Sequence, residues 1–348
     1  MMKRQVMTIA MLVCWVPAAS AWAMADVPLD IQQGYYYGDL GNPEDYQEHR
    51  LGPTLSGVAK LPAEPEQSPA GLVATVAELP PGVDPAAYEV FRWDRADKNF
   101  LKRILTTYTK DQGQCGSCWA FAAVGVLESQ VRRQCHQSPQ TFGCREMNES
   151  DGNNITLPDY SEEQQLGLNR GQAGCGGGRA SALAFWENNG PMLESCARYS
   201  EGRVAQDQLM RCEQLTWRVQ GYFTLYRQPE QVEAAFNEEL KWALLRHGPL
   251  YLKFAVPEDF EEFWREDDAE AVYTMNTDLF RTQQPSGQAV SHAVLLVGWD
   301  IRKQAWLCKN SWGTTRYRPE GTFWLSFQGH RRDLGILTAG VKTINVAP

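Results

Sequence analysis

Apolar positions recur at helical spacing early in the chain, then gather into short runs later. In "CWAFAAVGVLESQVRRQ", Ala120, Phe121, Val124, Leu127 and Val131 fall three or four apart, which predicts a helix beginning near Cys118 with one apolar face. A second helix is predicted over "RASALAFWENNG". A third is predicted over "PEQVEAAFNEELKWALLRHG", with Pro229 near its start and Gly248 just beyond its end. After Gly248 the period changes: "PLYLKFAV", "HAVLLVGWD", "QAWLCKNSW" and "GTFWLSF" are short, β-rich and bounded by turn residues, so they read as strands. Helices first and strands later predict an α+β protein of two lobes with a site between them. No internal repeat is present.

The first 85 residues follow a different logic. Lys3 and Arg4 precede an apolar run, and Ala23 and Ala25 then stand where a signal peptidase needs small residues, so 1–25 reads as an export signal peptide. The run is shorter than the roughly 20 residues that span a bilayer, and Val13 before Cys14 is too large for a lipoprotein site. Residues 26–50 are tyrosine-rich and acidic. Residues 51–85 carry Pro53, Pro62, Pro65, Pro69, Pro80, Pro81 and Pro85, so 26–85 is expected to be an extended leader or pro-region. The domain proper is placed at 86–348.

Composition narrows the function. With 348 residues and 43% hydrophobic content the chain can bury a large core. Lys plus Arg total 33 against 42 Asp plus Glu, a net charge of −9, and no basic block is present, so a nucleic-acid partner is not expected. Export implies a periplasmic or extracellular location in a bacterium, or the secretory or lysosomal pathway in a eukaryote. After signal removal no membrane association is expected, and a monomer is the default. Eight cysteines remain once Cys14 is removed, and an oxidising compartment makes disulfides the expectation for most of them.

The pair in "CGSCWAF" is not symmetric. Cys118 stands where the helical period begins, at the positive end of a helix, and Cys115 lies before it. A nucleophilic thiol needs a base, and among His49, His136, His247, His292 and His330 the best placed is His292, which heads the strand "SHAVLLVGWD". "KNSWG" supplies Asn310 to orient the imidazole and Trp312 to shield that hydrogen bond from water. Gln112 and the backbone N–H of Cys118 are close enough in sequence to serve a developing oxyanion. No metal or organic cofactor is needed for this chemistry. A redox role would fit the C-x-x-C spacing, but the βαβ pattern around such pairs is missing.

"DQGQCGSCWAF", "YSEEQQLGL", "GCGGG", "SHAVLLVGW" and "KNSWGT" occur in an order, over roughly residues 86 to 345, that resembles the papain-like cysteine peptidases. The resemblance implies a two-lobed fold, helical in the N-terminal lobe and β-rich in the C-terminal lobe, with the cleft between them. It implies Cys118 as nucleophile, His292 as base and later acid, Asn310 as orienter and Gln112 as oxyanion donor, acting on protein or peptide substrates. It pairs Cys115 with Cys175, leaves Gly177 and Gly178 to meet an extended substrate backbone, and puts Ala180, Val290 and Ala293 at an S2 pocket that favours an apolar P2 residue.

The chain also departs from that pattern. Cys118 and His292 are further apart than the roughly 130 to 150 residues usual in the family, so insertions must sit in surface loops. One is "RQCHQSPQTFGCREMNESDGNN", in which Cys135 and Cys144 could close a small loop; with His136 they make only three irregularly spaced ligands, and no metal is expected. Leu168 stands where the family usually has cysteine, so the disulfide expected there is missing or rewired; a Cys196–Cys212 pair is one option, the pairing among Cys135, Cys144, Cys196 and Cys212 stays open, and Cys308 reads as a buried thiol. "TRYRPEG" replaces the usual tryptophan and glycine after "KNSWGT". Tripeptides at Asn148 and Asn154 match glycosylation sequons, a common chance occurrence. The leader lacks the family's helical inhibitory motif, and its expected role is that of an extended plug across the cleft, with a flexible spacer as the alternative. The function expected is an exported thiol endopeptidase made as a precursor (zymogen). The alternatives are exopeptidase or isopeptidase work by the same chemistry, or a peptide-binding protein on the same scaffold.

Overall fold

The computed structural model describes residues 79–137, 158–226, 233–256, 259–275, 291–328, 337–341 and 344–345. The leader to residue 78, Cys144, Asn148, Asn154 and Val290 lie outside the described residues. So does most of the insertion that follows Gln137.

Helix α1 spans Cys118–Gln137 and begins at the residue the periodicity predicts. The structure gives it more than one apolar face: Trp119, Ala120, Ala123, Val124, Val126 and Leu127 are all fully buried. It is enclosed on nearly every side because small residues let neighbours approach. A Cβ added at Gly125 would stand 3.3 Å from the Leu295 side chain on the sheet. Helix α2, Glu162–Leu168, has no apolar period and was not predicted. Its start is set by capping instead, with the Ser161 hydroxyl accepting the Gln164 N–H at 3.1 Å. It buries Glu162, Glu163, Gln164 and Gln165, whose polar groups take specific partners. The helix predicted over 179–190 is broken into a 3₁₀ turn, Ala180–Ala184, and one helical turn, Phe185–Asn188, anchored by the fully buried Trp186. Tertiary contact overrides propensity there: the Ala182 carbonyl receives the Gln165 side chain.

The C-terminal half carries α3, Glu233–His247, with Phe236, Leu240 and Leu244 on its core face, and α4, Asp259–Arg265, which lies among predicted strands and was not foreseen. The strands are β1 (Val90–Arg92), β2 (Arg218–Val219), β3 (Tyr222–Tyr226), β4 (Leu250–Ala255), β5 (Val272–Tyr273), β6 (Ser291–Asp300), β7 (Ala305–Lys309), β8 (Thr322–Ser326), β9 (Leu337–Val341) and β10 (Ile344–Asn345). All four predicted strands are present as β4, β6, β7 and β8. An eight-stranded sheet runs β3-β9-β4-β6-β7-β8-β5, with β1 also paired to β6, and β2 pairs with β10. The pairs in the large sheet are antiparallel except β5 with β8.

The sheet divides two cores. Along β6, Val294 and Leu296 join a cluster with Phe254, Phe260 and Trp306, while Ala293, Leu295 and Val297 join the cluster around α1. This is the period-two alternation of a strand buried on both faces. It places His292 and Ala293 on opposite faces of β6.

Candidate active site

The nucleophile candidate sits at the junction of the two cores. The loop 112–117 leads into α1, is tied by a Cys115–Cys175 disulfide, and closes with the Ser117 carbonyl accepting the Ala120 and Phe121 N–H groups. Cys118 is therefore the first helical residue, where unpaired amides and the helix dipole favour an anion. Its sulfur accepts the N–H of Ala293 at 3.4 Å. That contact brings α1 to β6 immediately beside His292.

His292 Nε2 lies 2.7 Å from Asn310 Oδ1. Asn310 Oδ1 also accepts the Ser311 backbone N–H at 2.8 Å, which fixes the amide with its oxygen toward the ring. An amide oxygen only accepts, so Nε2 carries the proton and Nδ1 is the basic nitrogen. Trp312 lies tilted over the imidazole with ring centres 4.7 Å apart, and Phe254 and Phe260 stand at 6.0 Å. Trp264, from the unforeseen α4, meets Trp312 edge-on at 5.9 Å. This burial lowers the imidazole pKa to about 4, against the opposing effect of the Asn310 hydrogen bond.

Gln112 is fixed at both ends of its amide. Its Oε1 accepts the Ser311 hydroxyl at 2.6 Å, and its Nε2 donates to the Cys115 carbonyl at 2.8 Å. The backbones of 110–113 and 311–313 also pair, through Gln112 N–H to the Ser311 carbonyl and Gly313 N–H to the Lys110 carbonyl. Ser311 thus bonds both Asn310, the orienter candidate, and Gln112, the oxyanion candidate. It carried no signal in the sequence beyond standing between Asn310 and Trp312.

Other expected residues fall nearby or outside. Gly177 has φ +114°, open to glycine and strained for other residues. A Cβ on Gly178 would come within 2.3 Å of the Trp119 indole, so close packing is reason enough for glycine there. Ala180 and Ala293 are buried in the α1 core, at 4% and 0% exposure. Cys196 and Cys212 form a disulfide, and Cys135 is disulfide-bonded too. Cys308 is a buried free thiol whose pKa burial pushes well up. Among the described residues no group of His, Cys, Asp and Glu is arranged to hold a metal, and no helix is long and apolar enough to cross a membrane.

The opposite face of β7 shows a feature the sequence did not announce. A small, open-mouthed cavity is lined by Lys110, Glu128, Glu162 and Lys309, and also by Ala293, Asn310 and Ser311. Lys110 Nζ contacts Glu128 at 3.0 Å, Asp159 at 2.9 Å and Glu162 at 3.0 Å. Burial opposes the Lys110 charge, but the Glu128, Glu162 and Asp159 carboxylates together hold its pKa well up. Burial pushes the Glu162 pKa up, and the Lys110 ammonium opposes that rise. Lys309, donating to the Tyr108 carbonyl at 2.7 Å, is lowered by burial to about 8 despite Glu128.

Comparison with known proteins agrees with this arrangement. A family model described as papain family cysteine protease matches residues 93–341. Pro-cathepsin H of Medicago truncatula is 32% identical over 230 residues, covering 63% of this chain and 53% of that protein. A cathepsin L-like proteinase of Fasciola hepatica is 28% identical over 215 residues, covering 60% and 53%. The chain thus spans about half the length of the curated relatives it matches. The solved structure of the digestive procathepsin L2 proteinase from Tenebrio molitor larval midgut superposes with a TM-score of 0.50 at 23% identity, covering 73% of this chain and 68% of that one. With that fold, a cysteine at the head of α1 and an Asn-held imidazole beside it, the chain belongs to the papain family of cysteine proteases.

Proposed function

We propose that the protein is an exported thiol endopeptidase, made as a precursor, that hydrolyses peptide bonds through an acyl-enzyme on Cys118. The observation that carries this reading is the chain of contacts from Cys118 Sγ to the Ala293 N–H, next to a His292 whose Nε2 is held by Asn310. Nδ1 takes the thiol proton as the sulfur attacks the carbonyl carbon, and the new imidazolium and any thiolate stabilise each other. The oxyanion is met by the Cys118 N–H and the Gln112 amide. The tetrahedral species collapses as the imidazolium protonates the leaving amine. Water, deprotonated by His292, then attacks the thioester, releases the carboxylic product and restores the thiol. Trp312 keeps solvent from the His292–Asn310 bond.

Substrate would lie in extended form past Gly177 and Gly178, with Ala180, Val290 and Ala293 at an apolar S2 subsite. The 1–25 signal peptide and the disulfides support export to an oxidising compartment. The precursor part of the reading, with residues 26–85 as a plug, is supported by their place ahead of the domain and by their proline-rich, extended character.

The test is intact-mass analysis after reaction with a cysteine-peptidase epoxide, comparing chains that begin at residues 26 and 86, with the adduct mapped by peptide sequencing. One adduct on Cys118, faster in the shorter chain, is expected. No adduct on Cys118 in either chain would leave a peptide-binding scaffold as the better description.

A further inference from the structure

Between Cys196 and Cys212 the chain forms a loop closed by a disulfide and placed against the entry to α1. The loop is held firmly by groups remote from the thiol. The Glu163 carboxylate accepts three of its backbone N–H groups, from Ser200 at 2.9 Å, Gly202 at 3.0 Å and Val204 at 3.0 Å. The Tyr199 N–H donates to Glu194 Oε1 at 2.7 Å, and Glu201 Oε1 accepts the Gln114 N–H at 3.0 Å. Besides the Glu201 contact with Gln114, this loop presents one phenol to the segment that precedes α1. The Tyr199 hydroxyl donates to the Gln112 carbonyl at 2.6 Å and lies 2.7 Å from the Ser117 hydroxyl, while its ring packs edge-on against Phe121 at 4.8 Å.

Gln112 and Ser117 bound the segment that carries both oxyanion donors. Gln112 offers its side-chain amide, and Ser117 is the residue immediately before the Cys118 N–H. We propose that Tyr199 is a positioning residue of the oxyanion site, its hydroxyl setting the distance between those two donors. A phenol that donates to the carbonyl can still accept, so the Ser117 hydroxyl donates in turn to the Tyr199 oxygen and both ends of the segment are held by one atom. Oxyanion donors act through preorganisation, because they must already point at the position where charge develops. Removing the hydroxyl leaves the disulfides, the Glu163 contacts, the ring on Phe121 and the anchors of Gln112 on Ser311 and Cys115 in place, and loosens only the bridge from the Gln112 carbonyl to the Ser117 hydroxyl.

This inference rests on the peptidase reading, and the experiment separates the two. Full-length protein and Tyr199→Phe are each activated in the same way, and active sites are counted by epoxide titration. Peptide hydrolysis, inhibition by a peptide aldehyde and alkylation by iodoacetamide are then measured. The aldehyde forms a tetrahedral adduct that uses the oxyanion donors, and alkylation does not. Tyr199→Phe is expected to lower kcat about tenfold, part of what losing a whole oxyanion donor costs, with KM changed less than about twofold. Aldehyde affinity should fall by a similar factor and the alkylation rate should not change. Ser117→Ala, which removes the other end of the bridge with little change in volume, should move the same readouts in the same direction by about threefold. Should Tyr199→Phe fail to fold, Ser117→Ala decides the matter. Unchanged kcat and aldehyde affinity in the folded variant, or equal losses in aldehyde affinity and alkylation, would overturn the positioning role. A parent protein that takes up no epoxide and cleaves nothing would overturn the peptidase reading itself.

Discussion

Lys309 and Asn310 are neighbours on one strand end, yet they face two unlike interiors. Asn310 meets an imidazole roofed by Phe254, Phe260 and Trp312, a region built of rings. Lys309 faces the cavity where Lys110, Glu128, Glu162 and Asp159 hold one another. Burial acts in both places with different results. At His292 burial outweighs the hydrogen bond to Asn310, and the pKa falls to about 4. At Lys110 three carboxylates within about 3 Å outweigh it. Lys309 has the depth of Lys110 without its close partners, and its pKa falls. Contact with opposite charge, more than depth, decides whether a buried cation stays charged. The ring-walled side suits a base that must gain and lose a proton, and the ionic side suits tying α1 and the start of α2 to the segment around Lys110.

Four changes test this contrast, beginning with the most damaging. His292→Ala should lower kcat/KM by at least about a thousandfold, since nucleophile and base act as a unit. Retained turnover in that variant would place the chemistry elsewhere. Lys110→Met removes the centre of the ionic cluster and leaves three carboxylates without it, so it should cost about 3–5 kcal/mol in denaturant unfolding, with turnover per folded molecule far less affected than in His292→Ala.

The third test is one of pH. Because His292 is depressed from 6.5 to about 4, its neutral form contributes stability that is fully present above about pH 6.5 and is lost as pH falls toward 4. In a Cys118→Ala background, which removes the thiol as a second titrating partner, His292→Asn should flatten the acid side of the stability curve by up to about 3 kcal/mol. Parallel curves would mean that the rings do not exclude the proton. The smallest effect, and the one opposite in sign to Lys110→Met, is expected of Lys309→Met. The folded pKa of about 8 lies below the ordinary 10.5, so the cost of burying this ammonium appears as pH falls through that window and is nearly complete at pH 7. The apolar replacement should stabilise the protein by about 1–3 kcal/mol at neutral pH. A loss of stability there would show that Lys309 belongs to the cluster energetically as Lys110 does.

Much of the fold was legible because it rests on local signals. The start of α1 at Cys118 and the strands β4, β6, β7 and β8 follow from periodicity and turn residues. The structure contains the Cys115–Cys175 bond that the family resemblance implied, and it joins Cys196 to Cys212, a pairing the sequence left open. Helix α2 escaped notice because it buries polar residues, which leave no apolar stripe to read. The segment 179–190 showed a stripe but breaks, because Trp186 and the contact with Gln165 dictate its path. Helix α4 was hidden by its setting among predicted strands, although Phe260, Phe263 and Trp264 are spaced to form its buried face.

By itself, the sequence determined which thiol heads a helix, which histidine heads a strand, and which asparagine follows the next strand. These depend on interactions within a few residues, where side-chain type and spacing suffice. The tertiary structure alone decided that Ser311 would fix both Asn310 and Gln112, that Tyr199 would reach across 87 positions to the Gln112 carbonyl, and that Lys110 would meet three carboxylates from two other segments. Those contacts join polar groups far apart in the chain, and such groups have no period to betray them. Their partners are set by where the hydrophobic cores bring the backbone, and only then by the requirement that a buried polar group be satisfied.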